Sequence, residues 1–109
     1  MLKKENRLPL KNKLISKAAI STEHFIIKIA ENNTKSIRSA VIIGKKIDKR
    51  AVYRNKMRRQ VYELLKDLMI KTRPGTDILF IMKKSILEKT KQALFLEIKN
   101  IFIKERLLK

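Results

Sequence analysis

The stretch 45-KKIDKRAVYRNKMRRQVYELLK-66 decides the fold, because it combines dense basic charge with the regular apolar spacing of a helix. Nine of its 22 residues are Lys or Arg. At about 3.6 residues per turn, one stripe carries the apolar side chains that we expect to pack on a sheet. These are Tyr53, Met57, Val61, Leu64 and Leu68, with Leu65 beside them. The pattern predicts a helix from about Ala51 to Lys71, which Arg73, Pro74 and Gly75 end.

The basic residues gather at the start of this predicted helix. Between positions 45 and 59 there is one acidic residue, Asp48, and there are eight basic residues: Lys45, Lys46, Lys49, Arg50, Arg54, Lys56, Arg58 and Arg59. Cations at a helix N-terminus oppose the helix dipole, so local stability alone does not favour them there. Helical spacing places Arg54, Arg58 and Tyr62 on a polar face that adjoins the apolar stripe. The pattern therefore favours a binding surface over a solvated charged face.

The charge of the whole chain indicates a polyanionic partner. The 109 residues, enough for one domain spanning 1–109, contain 28 Lys and Arg against ten Asp and Glu, a net charge of +18. A small domain with this charge repels itself, and closely spaced phosphates relieve the repulsion. We therefore expect an RNA-binding domain, with an acidic membrane surface or an acidic protein as alternatives. No apolar run is long enough to span a bilayer, so we expect no membrane partner. The absence of Cys fits a reducing compartment, and we expect a cytoplasmic protein.

The rest of the chain predicts an α+β domain. Residues 1–13 are expected to form an extended basic N-terminal segment, and 14–20 one or two helical turns. Two strands joined as a hairpin, a central strand and a second long helix should follow at 24–30, 37–45, 76–83 and 86–108.

Catalytic chemistry is not predicted for this chain. His24 is the one His and lies in an apolar strand, so we interpret it as a structural residue. There is no Cys, the carboxylates are scattered, and two Gly are too few for a phosphate loop. We expect no catalytic residue and no metal site.

At 51-AVYRNKMRRQVYE-63 the sequence resembles the protein subunit of bacterial ribonuclease P. The family has a Lys-Lys pair, a short loop, Ala-Val-x-Arg-Asn-Arg, and then one or two basic residues. This chain has Lys45-Lys46, Ala51-Val52, Arg54-Asn55-Lys56 and Arg58-Arg59. The opening MLKKENRL and the segment TDILFIMK are also similar. The resemblance implies an αβββαβα sandwich with a mixed central sheet, a short first strand and a left-handed βαβ crossover.

The resemblance also implies a function. The catalyst would be a partner RNA, a magnesium-dependent ribozyme that removes the 5′ leader from precursor tRNA. The protein would bind no metal, would have no active site of its own and would need no other protein. A cleft between the first helix and the sheet would hold the leader. By position, the residues that contact RNA would be Arg54, Asn55, Lys56, Arg58 and Arg59, supported by Lys45, Lys46, Lys49 and Arg50.

The chain departs from the family in the motif and in the cleft. Lys56 replaces an Arg and loses its planar fork of donors, and a loop glycine is replaced near Asp48, which tolerates left-handed backbone. The cleft positions are Leu14, Ala18 and Lys28, where the family has aromatic residues, and Phe25 is the remaining candidate ring. Because unstacked bases rest on aromatic rings, we predict weaker and more salt-sensitive leader binding.

Two other functions fit the composition. The first is a ribosomal or general structured-RNA-binding protein. Composition does not separate it from a ribonuclease P subunit, and only the motif and its placement do. A DNA-binding protein would lay the basic helix in a major groove. This is disfavoured, because the basic face adjoins the apolar stripe and the strongest charge lies in the loop and first turns.

Overall fold

The computed structural model describes residue 8, residues 18–32 and residues 34–107. In this part of the chain there are four strands and two helices: β1 (Ala18–Ser21), β2 (Phe25–Glu31), β3 (Arg38–Ile42), α1 (Ala51–Ile70), β4 (Thr76–Met82) and α2 (Lys91–Lys104). The strands form one mixed sheet, so the predicted α+β class is confirmed. The expected extended segment 1–13, apart from Leu8, and the expected helical turns at 14–17, including Leu14, lie outside the described residues.

The strand β4 lies between β2 and β3, so the sheet order is β1-β2-β4-β3. β4 pairs antiparallel with β2 and parallel with β3. The central position predicted from its apolar sequence is confirmed, but the predicted hairpin of 24–30 with 37–45 is wrong. A strand with apolar residues on both faces is most stable with a strand on each side, and β4 takes the place where β3 would have paired. The left-handed sense of the β3-α1-β4 crossover stays a prediction.

The strand β1 replaces part of the helix that the sequence predicted at 14–20. Ala18 and Ile20 are half-buried, whereas Ala19 and Ser21 are exposed, which is the alternation of a strand. β1 pairs antiparallel with β2 along all four of its residues. The turn between them is tight, because the Phe25 N–H donates to Thr22 Oγ1 over 3.0 Å. The helical prediction is therefore wrong for residues 18–20.

Both helices pack on one face of the sheet and close a single apolar core. Every second residue of β2 and β4 enters this core, including Phe25 and Phe80, whose rings meet edge to face at 5.7 Å. α1 contributes Met57, Val61, Leu65, Leu68 and Met69, and α2 contributes Leu94, Ile98 and Phe102. The buried stripe of α1 is thus centred on Leu65, whereas Leu64 and Tyr53 are only half-buried. The sequence predicted the stripe correctly except for this small rotation.

The helix α2 is shorter than the 86–108 that the periodicity predicted. Its first turn is capped by Thr90, whose side chain accepts a hydrogen bond from the Ala93 N–H over 3.1 Å. At the other end Arg106 adopts a left-handed conformation with φ 56°, and the Leu107 N–H donates to the Phe102 carbonyl over 2.9 Å. This is the Schellman arrangement of a helix end. Ile86 is buried although it precedes the helix, and its apolar side chain made the predicted helix begin too early.

Gly75 joins α1 to β4 in a turn that requires glycine. Its φ is +78°, and a Cβ there would lie 3.3 Å from the Thr34 carbonyl oxygen. The Gly75 carbonyl accepts from the Asn32 N–H over 2.8 Å, which ties the start of β4 to the end of β2. In the part of the chain that the structure describes, no helix combines the length and apolar character needed to cross a membrane.

Candidate nucleic-acid interface

The predicted RNA-contacting residues come together in the loop before α1 and in its first turns. We call this group the basic surface: Lys45, Lys46, Lys49, Arg50, Arg54, Asn55, Lys56, Arg58 and Arg59. All are exposed except Arg54 and Arg58, which are half-buried. Arg50 is the N-cap of α1, its side chain makes no capping hydrogen bond, and the first turn contains no acidic residue. The positive end of the helix dipole therefore adds to the field of the side chains.

Asp48 and Arg50 form the ion pair of the basic surface. The Arg50 guanidinium donates through Nε and one terminal nitrogen to the two Asp48 oxygens, each over 2.9 Å, and the Arg50 N–H donates to Oδ1 over 2.9 Å. These hydrogen bonds, first those of the guanidinium, lower the pKa of Asp48 to about 2. The left-handed backbone expected near Asp48 is not found, since among the described residues other than glycine only Arg106 has a positive φ. Asp48 orders the loop through its carboxylate instead.

Arg50 and Arg54 are both held in place by the loop. The Arg50 guanidinium lies 3.8 Å from the centre of the Tyr53 ring, while 62% of its side chain stays exposed. One terminal nitrogen of Arg54 donates to the backbone carbonyls of Asp48 and Lys49, each over 2.9 Å. The loop is thus fastened to the first turns of α1. Arg54 has a structural role in addition to its charge, which the sequence did not indicate.

A groove runs along the side of α1 between Asn55 and Tyr62. Asn55, Arg58, Arg59 and Tyr62 line it, and its volume is about 330 Å³. An Arg58 terminal nitrogen donates to Asn55 Oδ1 over 2.7 Å, which fixes the guanidinium along the helix. Tyr62 was not among the residues predicted to bind RNA. Its spacing of four from Arg58 was the available signal, because that spacing places the two side chains on the same side of a helix.

The second face of the sheet points away from both helices. Strand register places Ala19, Lys28, Leu79 and Ala40 in one row across all four strands. A neighbouring row consists of Ser21, Ile26, Ile81 and Ile42, of which Ile42 is 37% exposed. We call this the open face. Lys28 is the one basic residue in these two rows.

Two of the predicted cleft residues do not belong to the open face. Phe25 is completely buried between the sheet and the helices, so its ring offers no surface to a base. Its assignment as a cleft residue is wrong, because odd-numbered residues of β2 enter the core. Ala18 also points to the core side and packs against it. Leu14 lies outside the described residues, which leaves Lys28 in the predicted position.

A buried polar cluster closes one end of the open face. Arg38 donates to both carboxylate oxygens of Asp77, over 2.8 Å and 2.7 Å, and Asn32 donates to Oδ1 over 2.7 Å. The hydrogen bond to Asp77 raises the pKa of Arg38. Asp77 is 4% exposed, so these partners offset the cost of burying its charge. The cluster joins β3 to β4 and links both strands to Asn32, which follows β2.

His24 joins the sheet to α2. Its Nδ1 lies 3.0 Å and 3.2 Å from the two carboxylate oxygens of Glu97, and the residue is 5% exposed. The structural role predicted for His24 is therefore confirmed. Glu23 brings a third possible metal ligand to within 4.8 Å of these atoms. Lys89 lines the same cavity of about 260 Å³, and its positive charge opposes the binding of a cation there.

The sequence profile of the Ribonuclease P family matches residues 11–106, which is nearly the whole chain. The chain belongs to the Ribonuclease P family. The Ribonuclease P protein component of Synechococcus sp. is 45% identical over 47 residues, which are 43% of this chain and 35% of the relative. That of Cyanothece sp. is 29% identical over 79 residues, covering 72% and 60% of the two chains. This chain thus spans less than two thirds of the length of these curated relatives.

Solved structures of Ribonuclease P proteins have the same fold. The protein from Thermotoga maritima is similar with a TM-score of 0.75 at 22% sequence identity, over 87% of this chain and 93% of that one. A Staphylococcus aureus protein, described as a mutant with defective mRNA degradation activity, has a TM-score of 0.72 at 18% identity, over 84% and 76%. At these identities the comparison supports the architecture of the sheet and helices.

Proposed function

We propose that this protein is the protein subunit of ribonuclease P and assists a catalytic RNA in removing the 5′ leader from precursor tRNA. The basic surface docks on the catalytic RNA, and the open face of the sheet holds the leader. The RNA performs the cleavage with its own magnesium ions, and the protein binds no metal for this reaction. The proposal includes a cytoplasmic location, where precursor tRNA is processed.

The observation that carries this proposal is the way α1 is anchored. Five side chains of the helix enter the core, so the helix cannot rotate without losing that packing. Cations on the adjoining side are thereby held at fixed positions, while one acidic residue, Asp48, lies among them. Cations on a fixed backbone meet a rigid group of phosphates with less loss of conformational freedom than cations on a mobile segment. A folded RNA presents such a group.

The open face supports the second part of the proposal. An extended single strand needs a long, shallow surface with apolar area for bases and some positive charge for phosphates. The row that contains Ile26, Ile81 and Ile42 supplies apolar area, and Lys28 in the neighbouring row supplies charge. Both described helices lie on the other side of the sheet. The large apolar side chain that is exposed in these rows is Ile42, at 37%, whereas Ala40 is 5% exposed.

Reconstitution tests the function. The protein is mixed with the catalytic RNA of its host at low magnesium concentration, and trimming of a precursor tRNA is followed on a gel. We expect the protein to raise the cleavage rate, and Arg58→Ala to reduce that gain. Lys104→Ala on α2 is the matched control, because it removes one exposed charge remote from the basic surface. Equal cleavage with and without protein at every magnesium concentration contradicts the proposal.

A further inference from the structure

We infer that the groove beside α1 is a pocket for a single unstacked nucleobase of the partner RNA, with the ring of Tyr62 as its stacking platform. This inference rests on the proposed function and names what one part of the basic surface recognises. It adds base recognition to a surface that otherwise binds phosphates. The residues that form the pocket are Asn55, Arg58, Arg59 and Tyr62.

The position of Tyr62 is the first argument. The residue is half-buried and packs against the apolar core, and it also lines the groove. Contact with the core restrains the ring, so stacking a base on it costs little side-chain freedom. Aromatic rings beside cations are the usual platforms for bases that have left a helical stack.

The polar groups of the groove are the second argument. Arg58 donates to Asn55 Oδ1 over 2.7 Å, which leaves the Asn55 amide N–H groups without a hydrogen bond to any described residue. These donors border the same space as the Tyr62 ring. An Asn amide can donate to a ring nitrogen or carbonyl oxygen of a base. The guanidinium groups of Arg58 and Arg59 make no ion pair within the described residues, so they are available to the flanking phosphates.

The size of the groove is the third argument. Its volume of about 330 Å³ lies at the lower end of the range of roughly 300–1,000 Å³ for small-molecule sites. The space suits one nucleoside, whereas a stack of several bases or the edge of a duplex needs more. The partner is therefore an RNA segment with an unpaired base, such as a bulge or an internal loop.

The chain itself offers a fluorescent reporter for this pocket. It has no Trp and two Tyr, so Tyr53→Phe leaves Tyr62 as the only strongly fluorescent side chain. The matched control is Tyr62→Phe, which keeps a ring in the pocket and leaves Tyr53 as the reporter outside it. Each protein is titrated with a uridine hexamer and with a ribose-phosphate hexamer that lacks bases. Binding is measured separately by competition with a labelled RNA.

We expect the uridine hexamer to quench Tyr62 and to leave Tyr53 nearly unchanged, while the base-free hexamer binds without quenching either. Tyr62→Ala should weaken binding of the partner RNA about 5- to 100-fold, and Tyr62→Phe should not. If both hexamers bind and neither quenches Tyr62, the base pocket is refuted while the proposed function stands. If neither hexamer nor the catalytic RNA binds, the proposed function fails together with the pocket.

Discussion

An Arg58 terminal nitrogen donates to Asn55 Oδ1 over 2.7 Å, across one turn of α1. The two residues belong to the basic motif that carries the sequence resemblance, and this hydrogen bond gives one physical reason for their spacing. Asn55 accepts from the guanidinium and holds it along the helix, while the other donors of Arg58 have no hydrogen-bond partner among the residues that the structure describes. A charge that is already fixed in place loses less freedom on meeting a phosphate than a mobile one.

Arg58→Ala should weaken RNA binding without changing stability. Arg58 is not among the described residues that form the apolar core, and we expect the melting temperature to stay within experimental error. The slope of log Kd against log salt concentration should fall by about 1, because one phosphate contact is lost. Filter binding at several salt concentrations measures this, with Lys104→Ala as the control. An unchanged slope together with unchanged affinity would place Arg58 outside the interface.

Arg54→Ala should affect both stability and binding. Its guanidinium bridges the carbonyls of Asp48 and Lys49, so its loss frees the loop before α1. We expect the unfolding free energy to fall by about 0.5–1.5 kcal/mol, the usual contribution of a hydrogen bond. Urea titration measures the loss, and Arg54→Lys separates the two roles. If Lys restores neither stability nor affinity, the planar guanidinium is required for both.

Leu65→Ala should destabilise the fold more than Leu64→Ala. Leu65 is completely buried at the centre of the α1 stripe, whereas Leu64 is half-buried at its edge. Truncating a buried Leu costs about 2–5 kcal/mol, because it leaves a cavity. Urea unfolding of both variants gives the comparison. An equal or larger loss for Leu64→Ala would mean that α1 is rotated from the position described.

Asp48 should titrate near pH 2 in the folded protein. Its pKa is lowered from 3.8 to about 2 by the hydrogen bonds of Arg50, so the folded state favours the carboxylate. The stability that it contributes is complete above the unfolded pKa of 3.8 and is lost as the pH falls towards 2. Carboxyl chemical shifts by NMR report the midpoint. Asp48→Asn should remove the contribution, and an Asp48 midpoint near 4 would show that the pair does not persist in solution.

The His24–Glu97 contact should stabilise the packing of α2 on the sheet. His24→Ala leaves Glu97 without its partner in a largely buried place, and we expect a loss of about 1–3 kcal/mol. Glu97→Gln keeps an oxygen that accepts from Nδ1, so its effect should be smaller. Thermal unfolding of the two variants measures the difference. Equal losses would assign the effect to the charge of Glu97 instead of the hydrogen bond.

Leader binding should be sensitive to salt and should improve when an aromatic residue replaces Lys28. Lys28 lies in the middle of the open face between Ala19 and Leu79, where a ring would offer a base a stacking surface. We expect Lys28→Tyr to tighten binding of a precursor with a long leader and to reduce its dependence on salt. Fluorescence titration with leaders of increasing length tests this. Strong, salt-insensitive gains per nucleotide in the unchanged protein would refute the premise.

Local patterns predicted most of the elements, and contacts distant in sequence explain the errors. The apolar run of β4 predicted a central strand, and Pro74 and Gly75 marked the end of α1. The pairing partner of β3 is 39 positions away, Arg38 beside Asp77, and no local pattern encodes that choice. The start of α2 was misplaced because Ile86 is buried outside the helix, and periodicity does not distinguish the two kinds of burial.

The sequence predicted which residues form the basic surface, but it did not predict the direction and contacts of individual side chains. Charge density and the Arg-Asn motif identified the basic surface, because both are properties of sequence alone. The hydrogen bonds of Arg54 to the loop before α1 and the burial of Phe25 depend on the direction of each side chain. The direction of a strand residue follows from its register, and the register of β2 was not known. Tyr62 shows the same limit, since its position beside the groove depends on the rotation of α1.

The placement of β4 in the middle of the sheet sets the order in which a growing chain can assemble. β1 and β2 are neighbours in sequence and can pair while the ribosome is still making the rest. β3 and β2 flank a strand that emerges only after α1, so the amphipathic helix leaves the exit tunnel before the sheet that it will cover is complete. Until β4 (Thr76–Met82) has been synthesised, the apolar face of α1 can pack only on an incomplete sheet. A chain truncated before β4 would therefore be a strongly cationic fragment with exposed apolar surface, and such a fragment is prone to aggregate.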